Sequence, residues 1–595
     1  MSEVELWLNS NVFYFGVVHA HPKLSFTYLK KVVTYAKSKG KDGGYPELSW
    51  NIWKHMAVNK MLMQEDLAWA YYEMFHTLMD LSPKRRLELA EMQQQSFESG
   101  DADLYRQHMA VPTLPFVLFL FIQQANKLSL RKSLLGDEWP GASPRSSDSG
   151  LLSSKADSSS NTLNEKKHTQ FFLTHFSEIV EVLSEGFKGQ HNSSIDLHVD
   201  LEVVEALGFI VKGRIVGQTS VYSINDLAVR HRLQAKSGYL KTMGYFSLHT
   251  FESWFRKSMS DNPYGVVNCF VKGIHLRWTH DVSDATRKKP KVISNSSFAP
   301  SNHKVVIFSQ CSNQTIARQS DMISGAYVKL HKCYKCNFYI LSPLKCVTAE
   351  KCFGSVFVLG PISTCVKLIN CSNVTIVTPC RSVVVSGCSD ITLYVTTPTH
   401  PLIANDNVVE NDRKSVVLAP YSTFYADLEN HLAAVGLVVS RQTDKWNKPI
   451  CLGKFFNHSA LHAFPGSLRS ISPRSLGAGD VSRTEDSEDC CFSIMKPSDF
   501  YLITIPFKTK TTASESMGQC LTTEIPGGLP HVYAEAVHGK QRATERWRRA
   551  VKESSLSREE KKQFQILVEE QFKQWMHDSG NQKQLDNLGK QRIFH

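Results

Sequence analysis

The sequence predicts an α+β multidomain protein with a central parallel β-helix between helical regions. Three observations carry that prediction. First, Cys311-Ser-Asn-Gln-Thr-Ile316 returns as Cys371-Ser-Asn-Val-Thr-Ile376 and as Cys388-Ser-Asp-Ile-Thr-Leu393, so the middle of the chain is written in repeating units. Second, Cys346 and Cys365 lie 19 residues apart, as do Cys352 and Cys371, and Cys371 and Cys388 lie 17 apart. That period is too short for a helical-hairpin repeat and suits three short strands per coil, because β-branched runs alternate with Asn, Ser, Gly and Pro corners. Third, apolar residues on both sides of the repeats recur at helical spacing.

Residues 1–285 are expected to form a mainly helical domain. Leu67, Tyr71, Met74, Phe75 and Leu78 mark one buried stripe, ending at Ser82-Pro83. Phe172, Phe176, Ile179, Val180, Leu183 and Phe187 mark a second, and the pattern continues through Phe251, Trp254 and Phe255. Between the stripes, nine of the eighteen residues from Ser143 to Ser160 are serine, too few of them apolar to hold a core, so 136–165 reads as a disordered insertion. The run Phe116–Ile122 is far shorter than the ~20 residues a membrane-spanning helix needs and reads as core.

Residues 290–440 are the expected β-helix with a closing helix through Leu428, Leu432 and Val435. Nine of the 14 cysteines fall between Cys311 and Cys388. No secretory leader is visible, which predicts a reducing cytosolic setting, so the thiols read as an inward ladder of small core residues. The rival reading is zinc on Cys333 and Cys336 with Cys346 or Cys352, but a single C-x-x-C without a second pair is a weak metal signature, and no metal is predicted. Residues 464–490 read as a second disordered linker. Ser143 and Ser472 each open a Ser-Pro-Arg triplet, consistent with proline-directed phosphorylation or with linker composition alone.

Residues 495–595 are expected to hold a buried strand, Phe500–Phe507, followed by helices. The chain carries 68 Lys+Arg against 56 Asp+Glu, a formal net charge of +12. Lys540, Arg542, Arg546, Arg548, Arg549 and Lys552 concentrate that charge on one helix, as a solvated face or a surface for acidic partners. No nucleic-acid motif accompanies them, so nucleic acid is disfavoured. Ser557-Arg-Glu-Glu560 is a capping box opening a helix whose Phe564, Leu567, Val568, Phe572 and Trp575 share a face, which reads as core packing ahead of a partner groove.

The search for chemistry is largely negative. Gly208 to Gly213 has phosphate-loop spacing but lacks the Gly-Lys-Ser/Thr ending, and reads as a strand. The chain has no H-E-x-x-H, no G-x-S-x-G and no dinucleotide-binding glycine motif, and no cofactor is predicted.

The cysteine-bearing coils, Gly360-Pro-Ile-Ser-Thr-Cys365, Asn370-Cys371-Ser-Asn373, the exit Thr397-Pro-Thr-His-Pro-Leu-Ile403 and Leu418-Ala-Pro-Tyr421 resemble one known family. Residues 294 to 437 are similar to the cofactor C-like domain shared by tubulin-binding cofactor C, the retinitis pigmentosa 2 protein and the cyclase-associated proteins, which implies a right-handed β-helix. The resemblance also implies GTPase activation through an arginine supplied in trans, in a motif Cys-Gln-Gln-(Phe or Leu)-Arg. Here the matching stretch is Cys380-Arg381-Ser382-Val383-Val384, so Val384 stands where that arginine stands and carries no donor. Arg381 lies three residues earlier, a shift of ~10 Å along a strand. What remains is a binding surface at Arg381, Ser382, Val384 and Ser386, with Val383 and Val385 inward and Val384 exposed. The resemblance thus implies a non-catalytic adaptor of the cytoskeleton, cytoplasmic and at the centrosome or spindle pole. Its implied consequences are for centrosome and Golgi positioning, cell shape and migration, and its implied partners are cytoskeletal proteins, tubulin or an Arf-like GTPase. The alternative is a GTPase-activating protein using a displaced arginine such as Arg381 or Arg413.

Overall fold

The computed structural model describes residues 3–263 apart from 10–11, 14–23, 41–46, 80, 101, 124–165, 186–197 and 219; residues 274–275, 291–294 and 304–505 apart from 320, 322, 405–415 and 452–491; and residues 525–579 and 582. The serine-rich insertion, the 464–490 linker, Ser143, Ser472, Phe187 and Arg413 lie outside the described residues.

Helices α1 (Phe26–Ser38), α2 (Glu65–Leu78), α3 (Pro83–Ser99), α4 (Thr113–Ile122), α5 (Phe176–Leu183) and α6 (Leu248–Ser258) build most of the N-terminal domain. Its core is aromatic: Trp50 packs edge-on to Trp69 at 4.8 Å and Trp53 to Phe116 at 5.0 Å, geometries that set the negative ring face against a positive ring edge. The Leu67–Leu78 stripe lies on α2 as expected, but α2 is buried on nearly every side, because α3, α4 and the solenoid surround it. Ser82-Pro83 does not close that helix. It opens α3, where Ser82 Oγ accepts from the Arg85 amide and Pro83 takes the first helical position, which needs no N–H donor.

Strand β1 (Val4–Leu8) pairs antiparallel with β2 (Val211–Ile215). The glycine spacing noted at 208–213 therefore serves packing: a Cβ on Gly213 would lie 2.5 Å from Leu6 Cδ2 and 2.8 Å from the Glu5 carbonyl.

The solenoid is made of β3 (Ile274–His275), β4 (Lys291–Ser294), β5 (Val305–Ser309), β6 (Thr315–Arg318), β7 (Tyr327–His331), β8 (Asn337–Ile340), β9 (Cys346–Glu350), β10 (Val356–Leu359), β11 (Val366–Ile369), β12 (Ser372–Pro379), β13 (Val383–Ser386), β14 (Ser389–Thr396), β15 (Leu402–Ala404), β16 (Val416–Pro420), β17 (Ile450–Cys451) and β18 (Phe492–Ile494). Odd-numbered strands from β5 to β17 stack in parallel as one sheet, extended by β4 and β3, and even-numbered strands from β6 to β18 stack as a second. Each coil has two strands and not the three expected; the third side is reduced to single bridges such as Leu344–Ile362–Cys380.

The corners explain the Cys-Ser-Asn repeat. Asn313, Lys335, Gly354, Asn373 and Asp390 have φ between 48° and 59°, and Gln310, Lys332, Lys351, Asn370 and Gly387 between 51° and 60°. Each coil thus turns through two left-handed residues, the conformation that Asn, Asp and Gly enter at least cost, three positions apart. The cysteine between them points inward. Cys311, Cys333, Cys352, Cys371 and Cys388 form that ladder, all 5% exposed or less, and Cys352 Sγ and Cys371 Sγ lie 3.5 Å from the Leu330 and Ala349 carbonyls one coil back. Cys365 departs from the expectation. It sits on the outer face of the sheet among residues of the N-terminal core, where burial pushes its thiol up to about 12. Among the described residues, no group of three His, Cys, Asp or Glu side chains could hold a metal ion.

The helix expected to close the solenoid, α7 (Leu428–Val435), instead packs along its side: Leu428, Leu432 and Val435 lie in the core, and Asp427 just before it accepts from Gln319 of the first coil at 2.6 Å. The C-terminal region is stitched to the same core. β18 extends the even-numbered sheet, and Phe500, Ile525, Leu529, Tyr533 and Val537 pack into it. The expected Phe500–Phe507 strand does not form: Phe500 is buried, Tyr501 is exposed, no strand runs through 500–505, and 506–507 lie outside the described residues. Helices α8 (His531–Glu553) and α9 (Arg558–Asp578) follow, and the Ser557–Glu560 capping box is present in both directions. No described helix is long and apolar enough to cross a membrane.

Candidate functional site: the outer face of the solenoid

Strand alternation sends Val366, Leu368, Val383, Val385 and Ile403 into the solenoid core, and Lys367, Val384 and Leu402, register partners on consecutive coils, to the outside. The inward–outward assignment at Val384 therefore matches the strand periodicity. Its predicted exposure does not. Val384 is 3% exposed, because it belongs with Cys365, Leu402 and Ala404 to the core of the N-terminal domain, which lies over this face. Arg381 and Ser382 are buried as well, and Ser386 is half-buried. A strand pattern tells which side a residue faces, and it does not tell what another domain places there.

The contact is polar as well as apolar. Arg381 precedes β13, and its backbone carbonyl is held by the hydroxyls of Thr397 at 3.1 Å and Thr399 at 2.7 Å. Its guanidinium reaches into the helical domain and donates to His76 Nδ1 at 2.9 Å and to the His76 carbonyl at 3.1 Å. Burial and then the Arg381 charge hold His76 down at about 3, so the ring is neutral and Nδ1 is free to accept. Burial also draws Arg381 down to about 10, which leaves it cationic at neutral pH.

One turn before His76 on α2, Glu73 Oε2 accepts from the His400 backbone N–H at 3.1 Å and meets the His400 ring at 3.2 Å, while Lys445 Nζ lies 3.6 Å from Oε1. Burial alone would raise the Glu73 carboxyl, but His400 and Lys445 outweigh it and hold it near 2. A cavity of about 40 Å³ beside this cluster, bordered by Glu73, His76, Tyr105 and Arg381, has room for water between polar partners. Along the seam Arg86 of α3 donates to the carbonyls of Leu81 and of Val435, the last residue of α7, where a cation is favoured by the helix dipole. Gly436, at φ +63°, ends α7 against Pro83; a Cβ there would lie 3.0 Å from the Pro83 backbone.

Glu73, His76, His400 and Lys445 were missed by sequence reasoning. The available signal was a carboxylate and an imidazole three residues apart within an otherwise apolar helix, which demands partners from elsewhere. The basic residues Arg542, Arg546, Arg548, Arg549 and Lys552 are exposed on α8, and Lys540 donates to the Phe500 carbonyl at 2.8 Å. They lie on the C-terminal side and do not join the seam.

The family model described as "Tubulin binding cofactor C" matches residues 325–450, the stretch that includes β13 and the Arg381, His400 and Lys445 side of the seam. The chain is 35% identical over 591 residues to TBCC domain-containing protein 1 of Bos taurus, covering 99% of this chain and 97% of that protein. It is 35% identical to the Homo sapiens protein of the same name, with 99% and 97% covered, and 34% identical to that of Danio rerio, with 98% and 93% covered. Full-length similarity to such relatives, together with a solenoid related to tubulin-binding cofactor C, means that the chain belongs to the TBCC domain-containing protein 1 family.

Proposed function

We propose that this chain is a non-catalytic adaptor of the cytoskeleton, working at the centrosome and spindle pole and acting on centrosome and Golgi positioning, cell shape and migration. Its partners are cytoskeletal proteins, with tubulin or an Arf-like GTPase as candidates through the cofactor C relationship. The observation that carries the reading is Val384. It has no hydrogen-bond donor where active relatives are expected to carry an arginine, and it is covered by the helical domain. Arg381, the displaced substitute in the rival GTPase-activating reading, is engaged by His76 and buried. Loss of a trans-acting arginine costs about 10³–10⁵ in rate.

Single-turnover GTP hydrolysis by tubulin and by Arf-like GTPases, with and without the full chain, tests this. The expected outcome is no stimulation; stimulation that disappears with Arg381→Ala would establish the enzyme instead. Fluorescent tagging in dividing cells tests the localisation, with diffuse signal and no focus at the poles as the refuting result.

A further inference from the structure

The apolar face of α9 is bare. Leu567 is 59% exposed, Phe572 and Trp575 55% each, and Val568 44%, although core packing was the expectation for this stripe. With Phe564 they recur at three- and four-residue steps, the spacing of a helix surface that packs against another helix. On α8, Trp547 is 53% exposed on the side of that helix that Val537 and Tyr533 anchor in the solenoid about three and four turns earlier. The two helices meet beside their connector, where the Trp547 and Phe564 rings lie 6.4 Å apart and Lys561 Nζ donates to the Lys552 carbonyl at 3.1 Å. The capping box fixes where α9 departs. The result is a helical fork, rooted at one end in the solenoid, with aromatic and aliphatic side chains along its inner side.

We propose that this fork is a docking site for an amphipathic helix of a protein partner whose flanks are acidic. Charge selects that occupant. Arg548 and Lys552 each follow an inner-side residue, Trp547 and Val551, by one position, or about 100° round the helix, so cations rim the apolar strip. Six basic residues stand against Glu545 alone between Lys540 and Lys552. An anionic bilayer fits less well, because α9 sets Glu559, Glu560, Glu569 and Glu570 against Arg558, Lys561, Lys562 and Lys573 and has no cationic excess. A second copy of this chain fits less well too, because it would bring two α8 cation clusters together. The proposal is independent of whether the solenoid engages a GTPase.

The test uses the full chain and a fluorescent synthetic helical peptide with leucine at the core heptad positions and glutamate on both flanks, alongside a version with lysine flanks. Anisotropy is expected to show binding of the acidic peptide that weakens at least about tenfold with Leu567→Gln/Phe572→Gln, at least about fivefold with Arg548→Glu/Lys552→Glu, and steeply with salt. Glutamine keeps α9 helical, and unchanged circular dichroism would show the variants folded. Equal binding of both peptides, indifference to either variant, or no binding of the acidic peptide overturns the proposal. So does sedimentation showing a wild-type dimer that Leu567→Gln/Phe572→Gln dissolves, co-flotation with phosphatidylserine vesicles that the same variant abolishes, or acidic-peptide binding that appears only after residues 583–595 are deleted.

Discussion

The helical domain before the solenoid and the helical pair after it attach to the same scaffold in opposite ways. On the N-terminal side charged groups are buried: Glu73 and Arg381 lie between α2 and the coils, each with named partners. On the C-terminal side apolar groups are exposed, and among the described residues the first half of α8 holds the pair to the solenoid, through Tyr533, Val537 and Lys540. A buried ion cluster contributes little net stability against an apolar substitute but imposes one geometry, since any other arrangement strands a charge. The first attachment is therefore specified in register, and the second leaves a surface available.

The contrast can be broken from the solenoid outward. Phe357→Ala removes the last ring of the Phe308–Phe338–Phe357 column and is expected to cost about 3–5 kcal/mol in urea unfolding, loosening both attachments together. Glu73→Gln leaves Lys445 and His400 facing an uncharged amide and should cost about 3 kcal/mol, with the seam around α2 and α3 becoming susceptible to limited proteolysis while the 531–578 helices keep their hydrogen-exchange protection.

Acid should act on the same side through His76. The folded pKa of His76 is depressed, so below the unfolded value of 6.5 the separated state takes up a proton that the docked state refuses, and stability falls as pH falls, reaching about 3 before His76 protonates in place. By pH 5 the loss is about 2 kcal/mol relative to pH 7.5; His76→Gln, which keeps an acceptor for Arg381, should flatten that slope. Glu73 adds its own loss only between its ordinary value of 4.5 and about 2, in the same direction. The opposite side is tested by Ser557→Ala, which removes an amide acceptor at the start of α9 and should cost about 1 kcal/mol of local helix stability by circular dichroism and exchange. Trp575→Gln should shift the unfolding midpoint by no more than about 0.5 kcal/mol, because the ring is exposed.

Much of this fold was legible in the chain. The cysteine beat placed the coils, because every coil needs a small inward residue between two left-handed corners, and Ser557–Glu560 located the start of α9 since both halves of its cap are local. What stayed hidden was long-range. Val384 faces outward as its strand pattern requires, yet the cover over it comes from residues some 300 positions away in sequence, such as His76, 305 residues from Arg381. The stripe on α9 illustrates the converse: the periodicity named the face and could not say whether anything in the same chain would cover it. The two strands per coil were over-read as three because the third side is carried by single bridging residues, too short to leave a β-branched run.

Lys291–Ser294 runs antiparallel both to Val305–Ser309 and to the two-residue strand Ile274–His275 at the head of the sheet, and from Val305–Ser309 to Ile450–Cys451 the sheet is parallel throughout. A stack of identical rungs is an open template, able to recruit another molecule's first rung as readily as its own next one. At that end the reversed strand is followed by an edge of only two residues, Ile274–His275, so a neighbouring molecule meets a much shorter row of donors and acceptors than a full rung would offer. That truncated edge works against end-to-end fibre growth.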